Sequence, residues 1–171
     1  MKNEKPIDEA VSRFLEGLSE KKKPGASNNQ VAESSVFYGV TYKSFLKNKM
    51  LVAQSIQHGL PHYLFEEIQL QTAFSEEDWA DFLNVSTKSL QRYKADGSHV
   101  YKPIHSEKII ELAEVTELGK EVFDDIQKFH KWLGVANVAL AGYKPSELIK
   151  SSYGKELVMD ELFHIDQGIF V

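Results

Sequence analysis

The sequence predicts an all-α protein. Apolar residues recur at spacings of three and four along most of the chain. Ser, Asp, Gly and Pro stand where such stretches begin and end, and no run alternates long enough to compete as a strand. With 171 residues, 42% of them hydrophobic and 26% charged, the chain can bury one sizeable core or two small ones.

The first helix is expected from Ile7 to Leu18, where Ile7, Ala10, Val11, Phe14, Leu15 and Leu18 share one face. Lys21-Lys22-Lys23-Pro24-Gly25-Ala26-Ser27-Asn28-Asn29 then reads as a linker. The alternation in residues 36–42 is too short to assign. Ser44 to Gln57 has helical composition and stops at His58-Gly59. Pro61 suits the first turn of a helix that buries Leu64, Phe65 and Ile68. Ser75-x-x-Asp78 is a capping-type start for a helix that carries Trp79, Ala80, Phe82 and Leu83 and ends at Asn84. Ser86 caps the next helix, which holds Leu90 and Tyr93 and closes at Asp96-Gly97. Ser106 is expected to cap a helix that turns Ile109, Ile110, Leu112 and Ala113 inward. A further helical pattern, Val122, Phe123, Ile126, Phe129, Trp132 and Leu133, stops at Gly134, with Trp132 and Leu133 expected in the core. Three regions follow: residues 1–57, helical with a linker and of uncertain role; residues 58–117; and residues 118–171.

Composition excludes several function classes. No stretch reaches the roughly 20 apolar residues of a membrane span, and MKNEKPIDEA lacks the apolar run of a secretion signal, so a cytoplasmic protein is expected. Without cysteine there is no disulfide, thiolate metal site or thiol nucleophile. His58 and His62 have the spacing of a helical zinc pair. Gly59 and Pro61 between them mark a helix start, however, and no third ligand is near, so no metal is expected. His99, His105, His130 and His164 belong to no recognisable nucleophile motif, and there is neither a P-loop nor Gly-x-Gly-x-x-Gly. No enzyme and no cofactor are expected. The net charge of −5 is unevenly spread: residues 1–57 carry +3, residues 58–117 carry −6 and residues 118–171 carry −2.

Residues 76–94 have the spacing of a helix-turn-helix. Ala80 is small enough for a close helix crossing, Leu83, Val85, Leu90 and Tyr93 are placed to lock the pair, and Asn84 tolerates a left-handed turn. Ser86, Thr87, Lys88, Gln91, Arg92 and Lys94 remain outward, as hydrogen-bonding and phosphate-binding side chains suited to DNA. No acid lies between Asp81 and Asp96, which leaves this face clear within an otherwise acidic region. An ordinary helical hairpin with a solvated polar face fits the same pattern.

From about Leu60 to Val171 the sequence resembles the Xre/MbcA/ParS antitoxins of type II toxin–antitoxin systems. The likeness is densest in Phe129-His130-Lys131-Trp132-Leu133-Gly134 and continues through Asn137, Leu140, Gly142, Pro145, Leu148, Gly154, Val158, Leu162, Ile165 and Gly168. Ser89-Leu90-Gln91-Arg92-Tyr93 and Ser106-Glu107-Lys108-Ile109-Ile110 look like that family's helix-turn-helix and the helix after it. The chain departs from the family pattern at three places: Ala136 stands for a common proline, Ala141 for a frequent glycine, and Ser151-Ser152 for a frequent Asp-Thr pair. The resemblance implies an Xre-like helix-turn-helix domain over residues 58–117 and a toxin-binding domain over residues 118–171. It also implies a non-enzymatic antitoxin that neutralises a cognate toxin, often an NAD-consuming RES-domain enzyme, and represses its own operon as an operator-bound dimer. A stand-alone dimeric transcriptional regulator is the alternative. The chain ends Asp166-Gln167-Gly168-Ile169-Phe170-Val171, with three large apolar residues after a glycine. This tail either folds back on its own domain or enters a toxin, where Asp166 or the terminal carboxylate would meet an anion site.

Overall fold

A computed structural model describes residues 5–21, 39–72 and 74–169. The expected linker at 21–29 lies almost wholly outside them, as do Phe170 and Val171. The described residues form α1 (Lys5–Lys21), α2 (Tyr42–Lys47), α3 (Lys49–His58), α4 (His62–Gln71), α5 (Glu76–Phe82), α6 (Thr87–Asp96), α7 (Pro103–Phe123), α8 (Ile126–Leu133), a 3-10 turn at Val138–Leu140, α9 (Pro145–Leu148) and α10 (Ser152–Asp166). The only β pairing among them is an isolated bridge between Pro61 and Val100. The all-α expectation therefore holds. No helix among the described residues is long and apolar enough to cross a membrane.

Two compact units interleave along the chain. One comprises residues 1–68 with 88–107, and the other residues 69–87 with 108–171. The break drawn from the sequence after residue 117 falls inside α7, which runs unbroken from Pro103 to Phe123.

In the first unit α1 packs on α2 and α2 on α3, with Ile7, Val11, Leu15, Phe45, Leu64 and Phe65 buried. The Asp8 carboxylate of α1 accepts from the Tyr42 backbone N–H at 2.7 Å, tying the start of α2 to α1. The single helix expected over residues 44–57 is two. Asn48 ends α2 in an extended conformation, and its side chain accepts from Leu51 N–H to start α3. Ser106 is also not a cap. It lies within α7, fully buried, where its hydroxyl accepts from Leu60 N–H at 2.9 Å and donates to the Tyr101 carbonyl at 3.1 Å. A serine that reads as a helix start instead joins two extended segments at residues 59–61 and 99–101.

In the second unit the core gathers Trp79, Ile109, Leu112, Phe129, Leu133 and Leu162. The pattern read as one helix from Val122 to Leu133 is the end of α7 and the whole of α8. The break between them is made by Asp124 in the left-handed region (φ 51°) and by Asp125, whose carboxylate accepts from Gln127 N–H at 2.7 Å. Gly119 of α7 faces the ring of Phe129, which a Cβ there would strike.

Candidate interaction surfaces

Helix α5 begins with a full capping box: the Ser75 hydroxyl accepts from Asp78 N–H at 3.1 Å, and the Asp78 carboxylate accepts from Ser75 N–H at 2.8 Å. Its end is equally local. Asn84 takes the left-handed conformation expected of it (φ 51°), and Val85 N–H donates back to the Ala80 carbonyl at 2.9 Å. This turn leads directly into α6.

On α6 only Leu90 is buried. Lys88, Gln91, Arg92 and Lys94 are exposed, as is Ser86 just before the helix, and Thr87 is half-buried. Two of these side chains have neighbours that the sequence did not reveal. Lys94 Nζ lies 3.2 Å from Glu66 Oε1 of α4. The Arg92 guanidinium sits 5.5 Å from the ring centre of Tyr93. Tyr93 stacks on His99 with centroids 3.6 Å apart and meets Tyr101 edge-on at 5.8 Å, which seats α6 on the segment that follows it.

Around the end of this helix lies an aromatic and histidine cluster. His62 is buried, stacks on Tyr101 at 5.9 Å, and has Nδ1 at 3.1 Å from the Tyr101 hydroxyl. Burial pushes the His62 pKa down, Glu66 opposes that effect, and Lys94 adds to it. Burial likewise lowers His99 and His105 and raises the Tyr101 hydroxyl.

In the C-terminal part α9 packs on α8 and α10, and the 3-10 turn also packs on α10. Asn137 organises the turn: its side-chain oxygen accepts from Ala139 N–H at 2.9 Å and its amide donates to Glu161 of α10 at 3.3 Å. The backbone around it is tightly folded, with Ala141 and Gly142 both at positive φ (54° and 82°). Helix α10 starts from Ser151, whose hydroxyl accepts from Gly154 N–H at 3.1 Å. Gly154, Val158 and Leu162 form its buried row. Gly154 admits no side chain, because a Cβ would run into the Leu148 carbonyl. Phe129 and Leu133 are core residues, whereas Trp132 is only half-buried, stacking on Phe129 (6.1 Å) and meeting Phe123 at a tilt (5.7 Å). The expectation that Trp132 belongs wholly to the core is corrected accordingly.

The tail residues Asp166, Gln167, Gly168 and Ile169 are exposed, Ile169 by 53%. Gly168 closes α10. At φ 68°, it donates to the Ile165 carbonyl (3.0 Å) while Ile169 N–H reaches His164 (2.9 Å), the paired bonds of a Schellman end.

A second apolar feature of α10 escaped the sequence reading. Tyr153 and Leu157 are exposed by 85% and 54%, in a row one turn apart that continues through Asp160 to His164, and Phe163 (50%) stands in the adjoining row with Glu156. Val138, in the 3-10 turn, is 89% exposed.

Residues 118–168 match the family model of the antitoxin Xre/MbcA/ParS C-terminal toxin-binding domain. Over those residues the chain is similar to the Xre/MbcA/ParS antitoxins. Among solved structures, a chain in the crystal structure of the M. tuberculosis MbcT–MbcA toxin–antitoxin complex is similar, with a TM-score of 0.52 and 23% identity over 63% of this chain and 94% of that one. That similarity is one of fold, and it takes in more of the chain than residues 118–168. No curated protein matches the sequence.

Proposed function

We propose that this chain is an antitoxin that neutralises a cognate toxin of the NAD-consuming RES type and, as a dimer, represses its own operon. The match of residues 118–168 to a toxin-binding domain carries this reading. The toxin contact is the outward face of α10, with Tyr153, Leu157 and Phe163 as anchors, continued by the tail Asp166, Gln167, Gly168, Ile169, Phe170 and Val171. Large side chains on a rigid helix, rimmed by Glu156 and Asp160, suit a partner with an apolar groove and cationic edges. A toxin that binds the phosphates of NAD presents such cations, and the Asp166 carboxylate meets them. The chemistry belongs to the toxin.

Operator binding rests on α6. Lys88, Gln91 and Arg92 read the major groove, and Ser86, Thr87 and Lys94 hold phosphates. Support comes from the exposure of five of these six residues and from the absence of acids between residues 81 and 96.

Co-expression with the protein encoded by the neighbouring gene tests the reading: the two proteins should co-purify, and this chain should restore growth to cells making the toxin. Growth arrest that persists while both proteins are soluble and separate would refute it. Deleting residues 168–171 is expected to weaken neutralisation. Full rescue by the truncated chain would confine the contact to the helices.

A further inference from the structure

We propose that Glu66 is a counter-ion shared by His62 and Lys94, so that protonation of His62 draws Glu66 inward, releases Lys94, and makes the α6 surface a pH-gated anion-binding face. The identity of that anion as a duplex phosphate rests on the operator-binding reading above. The coupling itself does not.

One carboxylate oxygen lies within reach of two nitrogens. Glu66 Oε1 is 3.2 Å from Lys94 Nζ on α6 and 3.9 Å from His62 Nε2, one turn back on α4. The two nitrogens differ in environment. The Lys94 side chain is 72% exposed and can be solvated anywhere it turns, whereas the His62 side chain is 4% exposed. Its Nδ1 is engaged with the Tyr101 hydroxyl, and its Nε2 is buried without a hydrogen-bond partner among the described residues. A buried polar atom left in this state requires an explanation. Neutral His62 tolerates it at modest cost. Once protonated, it carries N–H groups on both nitrogens, and a buried cation needs an acceptor at Nε2.

Glu66 is the acid placed to supply one, after a movement of about 1 Å to normal hydrogen-bond length. None of the other groups around the ring is an acid. From α6 come Lys94 and Tyr93; from residues 97–102, His99 and Tyr101; from α7, His105. Asp96 acts on His99 instead. The opposed influences on His62, with Glu66 raising its pKa and Lys94 lowering it, follow from the same arrangement. By linkage, an anion that takes Lys94 away from Glu66 must strengthen proton binding at His62 to the same degree.

The experiment is an NMR titration of the His62 ring in the full chain, as wild type, Lys94→Gln and Glu66→Gln. These surface substitutions leave the buried cluster in place. The midpoint is expected to rise in Lys94→Gln and fall in Glu66→Gln. An unchanged midpoint in Lys94→Gln would overturn the proposal. Binding to a fluorescent DNA duplex at fixed low salt gives the second readout. At pH 8 Glu66→Gln should bind about two- to fivefold more tightly than wild type. On acidification through the His62 midpoint read by NMR, wild type should close that gap, and a gap that stays constant across that midpoint would overturn the gating. Failure of every variant to bind DNA at any pH would remove the operator reading, with the NMR midpoints still deciding whether Glu66 is shared.

Discussion

Ala141 and Gly154 show how the C-terminal domain's pattern maps onto backbone geometry. Ala141 holds a left-handed conformation (φ 54°) at a position where the resembling family often carries glycine. An L-residue with a Cβ pays about 1–2 kcal/mol there, and glycine's greater chain entropy returns about half of the relief. Ala141→Gly is therefore expected to raise the melting temperature by about 2 °C, and a lower melting temperature would show that the turn tolerates alanine without strain. Gly154 is the reverse case, because a Cβ would meet the Leu148 carbonyl, which a side-chain rotation cannot move aside. Gly154→Ala should destabilise by about 1–3 kcal/mol in denaturant unfolding. An unchanged midpoint would show that α9 and α10 can part. At Ser151 the departure from the family's Asp-Thr pair is harmless, since a serine hydroxyl caps α10 as an aspartate would.

At the scale of elements, what was legible in the sequence was local. The capping box at Ser75 and the turn at Asn84 act within a few residues of themselves, and both were readable. Ser106 was misread because its partners, Leu60 and Tyr101, come from elsewhere in the chain and a capping serine looks the same. The break at Asp124 was missed because an aspartate at positive φ leaves no periodic mark. On α10 the buried row (Val158, Leu162) and the outward row (Tyr153, Leu157) are both apolar, so periodicity alone does not say which one faces the core. On α6 Lys88, Gln91, Arg92 and Lys94 are exposed as expected and Thr87 only half so, while the Glu66–Lys94 contact was invisible. Arg92→Ala is expected to weaken operator binding by about 1–3 kcal/mol in a gel-shift assay at fixed salt. Unchanged affinity in the folded variant would take Arg92 out of the DNA contact.

For the whole molecule, acid should be destabilising. His62, His99 and His105 all have pKa values below the ordinary 6.5, with burial the leading cause in each. The unfolded chain then binds more protons than the folded one between the folded midpoints and 6.5. The stability contributed by the neutral rings is complete above pH 6.5 and is lost as pH falls below it. Thermal melts between pH 8 and 5.5 should show this decline, and a flat profile would contradict it. The central claim, that the outward face of α10 holds a toxin, has a direct test in isothermal titration of the full chain and its Leu157→Asp variant against the neighbouring gene's product. Leu157 is 54% exposed, so the variant should melt like its parent. The parent should bind tightly, and the variant should lose at least about thirtyfold in affinity. Equal affinities, or no binding by the parent, would contradict that claim.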